Sequence, residues 1–136
     1  MKVFLALGVV CAAMAFATPA SPTTFFEEKF ECPIGGEKFK AKVVASNITF
    51  GQRPDGKPYS PLPVHPIVEC PDNGFLLFDD QFSDDELAVL AEAIASAEFQ
   101  RMRISETPHY RAGWLKRKAG RDAVSQISSL LQATWE

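Results

Sequence analysis

Two six-residue stretches constrain this chain more than any other feature: ECPIGG at residues 31–36 and ECPDNG at residues 69–74. In each, a cysteine is followed by proline, and a glycine stands four places after the cysteine. A structural zinc site needs four ligands in a tetrahedron, and Cys-x-x-Cys turns deliver them in pairs. Here Gly35 and Asn73 stand at the second ligand positions, so each stretch is half of a zinc knuckle. The turn-forming residues remain (Pro33 and Gly36, Pro71 and Gly74) while half of the ligands are gone. A four-thiolate zinc site cannot form from what is left.

The compartment decides how the remaining thiols are read. Residues 1–17 carry Lys2, then an apolar run from Val3 to Phe16, and end in Ala15-Phe16-Ala17. That is a signal-peptide pattern with a small-x-small cleavage site. The run is short for a membrane anchor and has no basic stop after it. Cys11 lies inside the run behind Val9 and Val10, which argues against a lipid-anchored cysteine. The expectation is a secreted chain, in the bacterial periplasm, with no stable membrane anchor after cleavage. Removing 17 residues leaves 119, with Cys32 and Cys70 as the only cysteines. An even pair of thiols in an oxidising space points to a disulfide. A net charge of −3 argues against nucleic acid as a partner.

Along the chain, residues 18–29 are expected as a lead-in that becomes ordered near Phe25 and Phe26. From Phe39 the sequence alternates, with Phe39, Ala41 and Val43 on one side and Lys40 and Lys42 on the other, as in a half-buried strand. The phase is lost near Ser46 and Asn47, which predicts a bulge or a second short strand. Residues 51–66 hold five of the ten prolines, so neither strand nor helix can run through them. Asn73-Gly74 between two apolar runs predicts a hairpin.

From Ser83 the period becomes helical. Ser83 and Glu86 form a capping box, and Leu87, Leu90, Ala91 and Ile94 follow on one face. A shorter helix is predicted around Phe99 and Met102. Thr107-Pro108 starts another, which stops at Gly120. The last begins near Asp122, with Val124, Ile127, Leu130 and Leu131 on one face. Trp135, one residue from the end, is either a packing plug or the sign of a C-terminally incomplete chain.

Residues 31–82, with the later ETPHYRAGW, resemble a bacterial family of unknown function, in a secreted, cysteine-poor branch. In that family two Cys-Pro-x-Cys-Gly knuckles form a zinc ribbon and tetratricopeptide-like helices follow. The resemblance implies an α+β fold, with a small zinc-ribbon-like antiparallel part at residues 30–82 and a three- or four-helix part at residues 83–136. It implies no activity. It does imply that the four ligand positions converge, and with the compartment this points to a Cys32–Cys70 disulfide in place of the metal. Closing a loop of about 39 residues would contribute on the order of 4 kcal/mol in the chain-entropy model.

Other sites carry less. The alternative metal set is Cys32, His65, Cys70 and His109, with zinc as the cofactor; otherwise none is expected. His65, His109, Tyr110, Arg111 and Trp114 are a candidate groove for an unknown protein or small-molecule partner, at a seam between the β and α parts. Eight acidic residues and no basic one lie between Asp72 and Glu98, and seven basic residues with one acid lie between Arg101 and Arg121. The expected reading is complementary charged rims on packed helices, with an acidic or basic patch for a partner as the alternative. The Asp79, Asp80, Asp84 and Asp85 cluster lacks the glycine and spacing of an EF-hand. No nucleophile motif, zinc-protease motif or phosphate loop is present. The expectation is a non-enzymatic binding or scaffolding module, with residual metal binding as the alternative.

Overall fold

The computed structural model describes residues 23–136, and the expected leader with Cys11 lies outside them. The fold is α+β. Strands β1 (Thr23–Glu31) and β2 (Lys38–Asn47) form an antiparallel pair, followed by helices α1 (Asp84–Ala95), α2 (Ala97–Ser105), α3 (Pro108–Lys118) and α4 (Ala123–Ala133).

β1 claims part of the stretch expected as a lead-in. Its sequence, TTFFEEKFE, has no strict alternation, so the period-2 signal is absent. Cross-strand partners supply what the pattern lacks: Phe25 faces Val44, Phe26 faces Val43 and Phe30 stacks on Phe39, with ring centroids 5.8 Å apart. The register shifts between Thr24 and Phe25, which pair with Ser46 and Val44, so Ala45 is the extra residue of a bulge. The predicted loss of phase is therefore real and begins one residue earlier than Ser46. The prolines hold residues 51–66 out of helix and strand. A turn closed by the Gly56 N–H on the Arg53 carbonyl (2.9 Å) shapes the tip of that loop.

All four helices start at a side-chain cap. The hydroxyls of Ser83, Ser96 and Thr107 and the carboxylate of Asp122 accept backbone N–H groups from the first turns of α1 to α4. The expected capping box at α1 is only half made. The Glu86 carboxylate turns to Arg121 instead of back to Ser83 (Nη2···Oε2 2.9 Å), because an ion pair to α3's exit is available there. α3 ends as predicted at Gly120, with φ +70°, where Gly120 and Arg121 donate to the Arg117 and Lys116 carbonyls.

The core lies between the second turn and the first three helices. Phe75 and Leu76 pack with Leu90 and Ile94 of α1, Phe99 and Met102 of α2, and Ala112, Trp114 and Leu115 of α3. Cys32 and Cys70 are buried in the same cluster. α4 sits differently from its expected packing. It approaches α3 along Gly113, where an added Cβ would lie 3.0 Å from Leu130, and its buried residue is Ser129. Val124 and Ile127 stay 77% and 62% exposed, and Leu130 and Leu131 are only partly covered. The periodic apolar face is present, but most of it looks outward; Leu130 is the member that sits against Gly113 of α3, where the missing side chain leaves room for it.

Candidate functional site

The two cysteine turns share one backbone hydrogen-bond pattern. In the first, the Cys32 N–H donates to Glu37 (2.8 Å) and the Gly36 N–H to the Cys32 carbonyl (3.1 Å). In the second, the Cys70 N–H donates to Phe75 (2.8 Å) and the Gly74 N–H to the Cys70 carbonyl (2.9 Å). Gly36 and Gly74 both take positive φ, +70° and +78°, a region that L side chains avoid. The first turn closes the β1–β2 hairpin. The second closes a shorter ladder through Glu69 and Leu76.

The turns meet tip to tip. Cys32 and Cys70 form a disulfide, with Cα atoms 5.9 Å apart across 38 residues of sequence. The two positions where second cysteines would stand also meet. Asn73 donates its side-chain amide to the Ile34 carbonyl (2.7 Å) and accepts the Phe75 N–H (2.9 Å). Its Nδ2 lies 3.6 Å from where a Cβ on Gly35 would be. A further bond runs from the Asp72 N–H to the Glu37 carboxylate (3.2 Å). Gly35 departs from a ligand-bearing turn: its φ of +96° is strained for any side chain.

α2 supports the second turn from outside. Gln100 donates to the Asn73 carbonyl (3.3 Å), and Arg103 reaches the Asp72 and Pro71 carbonyls (3.4 Å each). Arg103 lies directly over Gly74, in the space a Cβ would need. Sequence reasoning missed both residues; their only signal was polarity on a short helix.

The residues of the candidate groove do not come together as one open surface. Arg111 is 3% exposed and grips Glu69 with both Nη atoms (3.0 and 2.8 Å), fastening α3 to the residue before Cys70. His109 is also buried, with Nδ1 2.7 Å from Glu136. Trp114 packs on Phe99. Tyr110 is exposed beside α4, and His65 is exposed on the proline-rich loop. Arg111 and His109 of α3 turn inward to the carboxylates of Glu69 and Glu136, so a surface seam is replaced by inward-facing polar contacts. The alternative metal set is dispersed as well: both sulfurs are bonded to each other, and the His109 Nδ1 is held by Glu136. Among the described residues no group of three or more His, Cys, Asp and Glu is placed to hold a metal ion.

Trp135 covers the loop. Its ring tip lies 3.7 Å from the position of a Cβ on Gly56, and its carbonyl accepts from Lys57 (2.9 Å). The acidic and basic stretches meet at Arg121, which bonds Asp79 (2.8 Å) as well as Glu86. Burial alone would raise the Asp79 pKa, but N–H groups of Asp80 and Gln81 and the Arg121 charge outweigh it and hold the carboxyl below its ordinary value. Among the described residues no helix is long and apolar enough to cross a membrane.

No protein-family model matches the chain, and no curated protein or solved structure matches it.

Proposed function

We propose that this is a secreted, non-enzymatic binding or scaffolding module, framed by a pair of metal-type turns that a disulfide holds in the metal's place. One observation carries the reading. Two turns of identical hydrogen bonding face each other, with Cys32 bonded to Cys70 and Gly35 opposite Asn73 at the remaining ligand positions. In an oxidising compartment a disulfide does the work of the metal without needing a cofactor supply. The polar side chains of Arg111 and His109 are engaged within the protein, Arg111 with Glu69 beside the second turn and His109 with Glu136. What remains for function is surface shape.

The test is the intact mass of the secreted protein, alkylated in denaturant without reductant. The expected mass carries no alkyl group and is two protons below that of the reduced chain. Two alkylations would mean free thiols at Cys32 and Cys70 and would overturn the frame; zinc content of the native protein would then be the measurement to make.

A further inference from the structure

Strand alternation sends Phe30 and Val43 of the hairpin to one face, together with Glu28. That face looks across a cleft of about 470 Å³ toward Val68 and Leu77 beside the second turn and Phe82 before α1. The floor is apolar. The rim is not: Glu28 and Glu31 stand on the hairpin side, Asp79 and Asp80 on the other, and no lysine or arginine lines the cleft. Asp79 is held by Arg121 and Glu31 by Lys38 (3.6 Å). Glu28 and Asp80 have no cationic partner among the described residues.

We infer that this cleft docks a short cationic segment of a partner protein, one in which Lys or Arg alternates with apolar side chains. The inference rests on the binding-module reading and names its site. The charge pattern selects the occupant. An uncharged apolar segment would strip water from Glu28 and Asp80 and leave both unpaired, and an acidic one would be repelled. A segment with alternating basic and apolar side chains meets carboxylates on both rims while its apolar positions cover Phe30, Val43 and Leu77. Its dimensions suit such a guest, since clefts of several hundred Å³ take ligands of this size.

The experiment uses the oxidised, mature protein labelled with ¹⁵N and two capped seven-residue peptides, one alternating Lys with Val and Phe, the other with Glu in place of Lys. The Lys peptide is expected to shift amides at residues 28–31, 43, 68 and 77–82, more weakly as salt rises. The Glu peptide is expected to shift none of them. Glu28→Gln with Asp80→Asn should weaken the Lys peptide about fivefold to tenfold, the scale of two rim charges, and leave the unbound spectrum folded. Equal binding of both peptides, shifts confined to α4, or no shifts in protein whose disulfide is intact would overturn the docking site while leaving the frame standing. Free thiols in the mass measurement would overturn the frame itself, whatever the peptides do.

Discussion

Asn73 stands where a zinc ligand would stand and bridges the turns with an ordinary amide. Its Nδ2 serves Ile34 and its Oδ1 serves Phe75. Asn73→Ala should therefore leave a carbonyl and an N–H unpaired in a half-buried place and cost about 1–3 kcal/mol in urea unfolding. Gly74 makes a different demand. With φ +78° and Arg103 across its Cα, Gly74→Ala brings backbone strain and also pushes Arg103 off the Pro71 and Asp72 carbonyls. A loss of about 1–3 kcal/mol is expected, and Arg103→Ala made in the Gly74→Ala background should cost less than Arg103→Ala alone. The cysteines, prolines and glycines of these turns were legible in the sequence because turn chemistry is local. The part played by Asn73 was not, since it depends on Ile34 lying across a gap of 39 residues.

Among elements, α3 is bound to the second turn by a buried charge, and α4 meets α3 through Leu130 at Gly113 while Val124 and Ile127 face water. Arg111 has 4% of its side-chain surface exposed, against 31% for Glu69. Glu69→Gln would leave the guanidinium buried without its counter-charge, at about 3–5 kcal/mol, whereas Arg111→Met with Glu69→Leu should cost less, because the buried charge leaves with its partner and only the more exposed Arg103 loses Glu69. Chemical unfolding of the single and double variants measures the difference. On α4, Val124→Ser with Ile127→Ser should change stability by less than about 0.5 kcal/mol per site, as expected for side chains that already face water. A core face would lose several times that. The caps at Ser83, Thr107 and Asp122 and the stop at Gly120 were readable from period and punctuation, whereas the Ser96 cap that separates α1 from α2 was not. Which side of α4 faced inward was not, because it depends on Gly113 of α3 leaving room for Leu130 and on Ser129 being the residue that is buried.

For the whole molecule, the hairpin depends on its tips. Among the named elements β1 and β2 contact only each other. The disulfide, Asn73 and the partly buried Ile34 and Phe39 are what join them to the core. Reduction should thus destabilise by on the order of 4 kcal/mol, read as a fall in the urea midpoint with dithiothreitol present. Acid acts on the other junction. Asp79 has a folded pKa below its ordinary 3.8, so its stabilisation is complete above that value and is lost as pH falls through the lower, folded one. Asp79→Asn should flatten the acid limb of a stability–pH curve without changing its sign.

The sequence by itself determined the two turns, three of the four helix starts and the stop of α3, since each follows from local backbone preference, and it paired Cys32 with Cys70 as the two cysteines outside the apolar N-terminal run. Only the tertiary structure decided that Arg111 and His109 are buried ties, that α4 turns most of its apolar face outward, and that four carboxylates ring one apolar cleft. Those outcomes depend on which distant groups meet, and on the room that Gly113, without a side chain, leaves for Leu130.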